Sequence, residues 1–254
     1  MDVFCFDFDG VVCDSAPETA LSAWKGCREF WPAGGAPFSE ALQQRFCRVR
    51  PALHTGFEAI PLMRLIETDA ASEAEVLAGF PALRDDLIAR EGLDNARLLE
   101  VFGRIRDGLI AADQAEWLRW NRFYPGLRET LTAALERHPV FIITTKQERF
   151  VTLLLAHHGV DFPSERILGL ERGRSKPALL GELGAAPAWQ GHRFHFIEDR
   201  LETLQEVLAT PSLAAVQLYL ADWGYNTDAQ RAEAAATGRI AVVSRDDFRR
   251  RHGF

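Results

Sequence analysis

Asp7 and Asp9 stand two residues apart after a short apolar run, with Gly10 behind them. Carboxylates that close repel each other and resist leaving water, so at the end of a buried strand they need a cation or a specific proton arrangement to compensate. A second acidic pair, Glu198-Asp199, ends another apolar run over residues 194–197. Oxygen ligands from two strand ends, with no histidine or cysteine cluster beside them, suit Mg²⁺ better than Zn²⁺. Donors for an anion lie between the pairs. Thr144-Thr145-Lys146 closes an apolar run, and Lys176 opens a helical pattern whose N-terminal amides favour negative charge.

These residue types together point to phosphoryl transfer. A carboxylate is repelled by a phosphate ester, so its attack needs Mg²⁺ and Lys176 to neutralise the phosphoryl oxygens. Asp7 is the candidate nucleophile, forming an aspartyl phosphate. Asp9 is the candidate acid for the leaving oxygen and then the base for water. Gly10 lets the backbone turn sharply without a Cβ.

Residues 1–8 predict a first strand buried on both faces, since apolar residues do not alternate with polar ones. From Pro17 to Tyr124 only helical patterns follow: residues 18–31, a turn at 32–37, then 39–47, 55–70, 82–91 and 95–109. Asp113 is placed to cap a last helix, whose Trp117, Leu118, Trp120 and Phe123 fall on a packing face. After Tyr124-Pro125-Gly126 the pattern alternates. Helices are expected at 127–137, 149–157, 178–183, 201–208 and 228–236, and strands at 140–144, 166–170, 193–197, 214–220 and 240–243. Pro177 suits the first turn of its helix.

This alternation implies an α/β fold, a Rossmann-like parallel-sheet core covered on both faces, with an inserted all-helical domain. The core is expected over residues 1–15 and 125–254 and the insertion over 16–124. Because the insertion leaves next to the carboxyl end of the first strand, it is expected to cover the edge where Asp7 and Asp9 point.

Composition narrows the function class. With 254 residues, 47% of them hydrophobic, the chain can bury a core without disulfide staples. Cys5, Cys13, Cys27 and Cys47 form no CxxC pair and suit a reducing compartment. No signal-peptide pattern or membrane-length apolar run is visible, so a cytoplasmic protein with no membrane partner is expected. A net charge of -7 without a basic face argues against nucleic acid and leaves a small phosphorylated metabolite as the expected partner. Oligomeric state is not legible.

The chain resembles the haloacid dehalogenase-like hydrolases, in the branch with a helical cap after the first strand, like phosphoglycolate phosphatases and β-phosphoglucomutases. Asp7-Phe8-Asp9-Gly10-Val11-Val12-Cys13-Asp14-Ser15 matches the first motif of that family. Thr144 resembles the second, Lys176-Pro177 the third and Glu198-Asp199 the fourth, while Tyr124-Pro125-Gly126 looks like the return from cap to core. The resemblance implies Asp7 as nucleophile, Asp9 as acid and base, and Thr144 and Lys176 on the phosphate. It implies Mg²⁺ held by Asp7, the Asp9 carbonyl and Asp199, with Glu198 or Glu202 sharing the outer coordination. An aspartate at position 9 favours phosphoryl transfer over carbon-halogen cleavage. A phosphonate hydrolase would need a cap lysine, for which only Lys25 stands near.

The function expected is Mg²⁺-dependent hydrolysis of a small phosphate monoester. A phosphomutase and a non-catalytic scaffold on the same fold are the alternatives. Gly10, Thr145 and Lys146 are candidate phosphate contacts, although Lys146 suits an exposed position nearly as well. In the insertion, Arg48 and Arg50, with Arg45 and His54, are candidates to read a second anionic group or to end a solvated helix. Arg172 and Arg174 flank glycines before Lys176 and are candidates to contact either phosphate or simply solvent. His157-His158 suits a helix end, and Trp223-Gly224-Tyr225-Asn226 an ordered loop at the site edge with a packing role.

Overall fold

β1 (Asp2–Phe6) turns alternate side chains to two covered faces. Val3 and Cys5 enter an apolar cluster with Phe196, Leu204 and Leu220, while Phe4 and Phe6 pack edge-on against Phe248. Burial on both sides is why the strand reads as one apolar run. The computed structural model describes residues 1–33 and 35–254, so Gly34, in the turn expected at 32–37, lies outside the described residues. The chain divides into two compact units, Met1–Asp14 with Phe123–Phe254, and Ser15–Arg122.

After β2 (Cys13–Asp14) comes the helical unit: α1 (Ala16–Phe30), α2 (Glu40–Val49), α3 (Ala59–Glu67), α4 (Glu73–Glu91) and α5 (Asn95–Arg119). Side-chain caps start three of them. Ser39 accepts from the Leu42 amide, Ser72 forms a capping box with Glu75, and Asp94 accepts from the Arg97 amide. α4 begins well before the expected residue 82, because Gly79 kinks it and Pro81 lies inside, which breaks the periodicity on which the expectation rested. α5 joins two expected helices. Asp113 interrupts it at φ -157° and ψ 91°, and its carboxylate accepts from the Glu116 amide at 2.8 Å, so it caps the second half in place. Phe123 is not on that helix but in β3 (Arg122–Phe123). The apolar core of this unit includes Phe46, Ile60, Met63, Phe80 and Phe102. Gly26 lets Ile60 lie against α1, where a Cβ would come within 2.5 Å of its side chain.

The rest of the core unit runs α6 (Leu127–Arg137), β4 (Val140–Ile143), α7 (Glu148–His157), β5 (Ile167–Leu168), α8 (Lys176–Ala185) and β6 (Arg193–Glu198). It continues with α9 (Leu201–Leu208), β7 (Gln217–Ala221), α10 (Asp228–Ala236), β8 (Ile240–Val243) and α11 (Arg245–His252). The strands form a six-stranded parallel sheet in the order β5-β4-β1-β6-β7-β8. β7 starts later than the expected residue 214, since Pro211–Leu213 forms a 3-10 turn. The chain steps from β1 to one side and then to the other, so the switch point of the sheet lies at the carboxyl end of β1. The four cysteines are free, and among the described residues no helix is long and apolar enough to cross a membrane.

Candidate active site

Strand register brings the acids together. Phe6 pairs with Ile142 of β4 and with Ile197 of β6, so the next residues, Asp7 and Glu198, leave the sheet side by side. The Asp7 amide donates to the Ile197 carbonyl at 2.9 Å, and the Thr144 amide to Leu168 at 3.0 Å, which fixes where each strand ends. Asp7, Glu198 and Asp199 are buried and each offers an oxygen within 4.8 Å of the others.

Lys176, at the start of α8, supplies the counter-charge. Its Nζ lies 2.9 Å from Asp7 Oδ1 and 2.7 Å from Glu198 Oε2. The other Glu198 oxygen accepts from the Asp199 and Arg200 amides, both at 3.1 Å. Burial, then the Glu198 carboxylate, push Asp7 up to about 7 against the pull of Lys176. Burial pushes Glu198 up to about 7 as well, with Lys176 pulling it down and Asp199 pushing it up. Burial opposes the charge on Lys176, but Asp7 and Glu198 outweigh it and raise its pKa. Two carboxylates thus share one ammonium while a third, Asp199, lies within reach of both, and the excess negative charge matches a divalent cation. The donors are hard oxygens with no histidine or thiolate among them, so this set fits a cation of the Mg²⁺ class.

Asp9 has a lysine of its own. Lys146, whose side chain is fully buried, places Nζ 3.0 Å from Asp9 Oδ1, which corrects the expectation that an exposed position suited it nearly as well. Its backbone amide donates to Thr144 Oγ1 at 3.1 Å, so the buried Thr144 hydroxyl keeps its own hydrogen to donate. Thr145 beside it is exposed. Gly10 takes φ +89°, and a Cβ there would lie 2.0 Å from Asp199 Oδ2, so both conformation and space demand glycine.

The remaining candidates divide cleanly. Glu202 pairs with Arg200 at 3.0 Å and accepts from Gln230 at 2.9 Å, leaving Glu198 as the glutamate of the acidic cluster. Arg172 pairs with Glu148 and Arg174 with Glu182, so both already have carboxylate partners. Arg48 and Arg50 belong to the helical unit, as does the exposed Lys25. There Glu73 grips Arg48 through two hydrogen bonds of 2.8 and 2.7 Å, and Arg50 donates to the Leu53 carbonyl at 3.4 Å. His157 closes α7, and His158 stacks on Phe123 at 3.9 Å between ring centres.

The Trp223–Asn226 loop does more than pack. The Tyr225 amide donates to Asp199 Oδ2 at 2.7 Å, Asn226 Nδ2 to the Asp199 carbonyl at 2.9 Å, and Trp223 Nε1 to the Val11 carbonyl at 3.0 Å. Sequence reading missed these contacts. The residues are local to one another but distant from Val11 and Asp199, and the only hint was a Gly-Tyr-Asn turn directly after a strand.

Comparison with known proteins follows the same lines. A family model for haloacid dehalogenase-like hydrolases matches residues 1–209. No curated protein matches the sequence. Among solved structures, a predicted phosphatase from Clostridium acetobutylicum has a TM-score of 0.60 at 15% identity, covering 98% of this chain and 97% of its own. A hydrolase from Pseudomonas syringae has a TM-score of 0.56 at 15% identity, covering 99% and 97%. A predicted phosphoglycolate phosphatase from Haemophilus somnus has a TM-score of 0.55 at 16% identity, covering 89% and 87%. At such identities the likeness is one of fold.

Proposed function

Because the chain belongs to the haloacid dehalogenase-like hydrolases, we propose that it is a Mg²⁺-dependent phosphatase acting on a phosphate monoester of a small metabolite. The observation that carries this reading is the buried cluster of Asp7, Glu198 and Asp199, in which Lys176 bridges Asp7 and Glu198, with Asp9 and Thr144 at neighbouring positions of the same sheet edge. Asp7, Asp199 and Glu198, with the Asp9 carbonyl that the resemblance implies, would hold Mg²⁺, which when bound neutralises the phosphoryl oxygens.

The steps belong to the chain's own residues. Lys176 and the Thr144 hydroxyl bind phosphoryl oxygens and set phosphorus in line with Asp7. An Asp7 oxygen attacks phosphorus, the bond to the ester oxygen breaks, and Asp9 gives that oxygen a proton. Asp9, now a carboxylate, takes a proton from water as the water oxygen attacks phosphorus. The bond from phosphorus to Asp7 then breaks, releasing inorganic phosphate and restoring both aspartates. Lys146 suits the second half-reaction, because an ammonium beside Asp9 favours its carboxylate form. The approach of an anionic phosphate favours the protonated form needed in the first.

Release of inorganic phosphate from a panel of small phosphate esters, with Mg²⁺ and with chelator, tests the reading. We expect release that needs Mg²⁺ and vanishes in Asp7→Asn. Release that persists in that variant would remove Asp7 from the chemistry.

A further inference from the structure

We propose that the loop Trp223–Asn226 is the positioning element for Asp199, so that it sets how tightly the acidic cluster holds its divalent cation; this rests on the reading of Asp199 as a Mg²⁺ ligand. Asp199 lies immediately after β6, where the sheet's own hydrogen bonds end. Its orientation must therefore come from elsewhere, and the β7–α10 loop reaches it at three points.

The Tyr225 amide donates to Asp199 Oδ2 at 2.7 Å, which directs that carboxylate oxygen. Asn226 Nδ2 donates to the Asp199 carbonyl at 2.9 Å and to the Ala221 carbonyl at 2.8 Å, tying the end of β6 to the end of β7. The Asn226 oxygen accepts from Arg231 Nη1 at 2.7 Å, so the buried amide is held from both ends and its rotamer is fixed. The third point is steric. A Cβ on Gly224 would lie 2.3 Å from Asp199 Cβ and 2.5 Å from the Gly10 carbonyl oxygen, so this backbone seats directly on the acid and on the first motif at once. Trp223 Nε1 adds a bond to Val11 at 3.0 Å. One loop thus fixes the β6 acid relative to the turn that carries Asp9, which a metal site with ligands from two strands requires.

Titration calorimetry with MgCl₂ on the whole protein, without substrate, reads this directly. Partners that orient metal ligands usually change affinity about tenfold to a hundredfold when removed. Asn226→Ala and Gly224→Ala are therefore expected to raise the Mg²⁺ dissociation constant by about tenfold or more. In Asn226→Ala, raising Mg²⁺ to saturation should return kcat to near wild type. Thr227→Ala separates positioning from simple loosening. Thr227 caps α10 by accepting from the Gln230 amide at 3.2 Å, so its loss should lower Tm while moving the Mg²⁺ constant less than about twofold. If Gly224→Ala does not fold, Asn226→Ala decides. Wild-type Mg²⁺ affinity in Asn226→Ala, or an equal loss in Thr227→Ala, would overturn the positioning role and leave the proposed phosphatase standing. A wild-type protein that binds no Mg²⁺ would overturn both, and an Asp199→Asn variant that binds it as tightly as wild type would remove Asp199 from the cation site and the positioning role with it.

Discussion

Lys146 and Lys176 are the two buried lysines of the core unit, and each serves a different aspartate. Lys176 bridges Asp7 and Glu198, so its removal would leave buried carboxylates uncompensated, whereas Lys146 meets Asp9 at the border of solvent. Asp7→Asn should lower turnover more than about a thousandfold with unchanged circular dichroism, since an amide cannot carry the phosphoryl group; residual activity near wild type would contradict this. Lys146→Met should lower kcat by about tenfold to a hundredfold with a smaller change in KM, because it acts through Asp9. A rise in KM alone would place Lys146 on the substrate instead. The first motif was legible in the sequence because its residues are contiguous and local sterics explain them, as the positive φ of Gly10 illustrates. The partner of Lys146 was not, because 137 residues separate it from Asp9 and only the sheet brings them together.

At the scale of elements, the helical unit carries a buried ion pair that no local pattern announces. Glu18 on α1 and Arg106 on α5 meet through two hydrogen bonds of 2.9 and 2.7 Å. Ser22 and Trp117 also donate to Glu18, and Arg106 lies 4.2 Å from the centre of the Phe102 ring. Removing one partner strands the other in a dry site, so Arg106→Met should destabilise the protein by about 3–5 kcal/mol in urea unfolding. Adding Glu18→Gln should recover much of that loss, and a cost below about 1 kcal/mol for the single variant would mean that the pair is wet. Strands β4 and β8 were legible as apolar runs between turn signals, and α9 and α10 as periodic segments. α11 was not, since Phe248 is its single buried residue and the others, His252 apart, are charged. Its signals lay at the ends: Ser244 accepts from the Asp247 amide, arginines fill the last turn, and Gly253 closes it at φ +69°.

Across the whole molecule, the end of the sheet opposite the acids holds a group of rings around Phe4. His195 stacks on it at 4.6 Å, and His138, His252 and Phe254 meet it edge-on at 5.0 to 5.1 Å. A cavity of about 430 Å³ opens there beside Asp2, Arg193, Tyr219 and Arg251. Burial holds His252 down to about 4, helped by the charges of His195 and Arg251, and burial also lowers His195, against the pull of Asp2. At these two histidines the unfolded chain therefore binds more protons than the native one below about 6.5, and their contribution to stability falls as pH drops from about 6.5 towards 4. Thermal unfolding should show His252→Gln losing less Tm than wild type across that window. Parallel curves would contradict the assignment. In the proposed mechanism Asp7 carries the phosphoryl group between ester and water, and Asp9→Asn should slow its departure. The most direct measurement is peptide mass mapping of Asp9→Asn, quenched in acid after mixing with Mg²⁺ and an ester that the wild type hydrolyses. A phosphoryl group on Asp7 is the predicted result, and its absence from Asp7 with phosphate found on another residue would contradict the account.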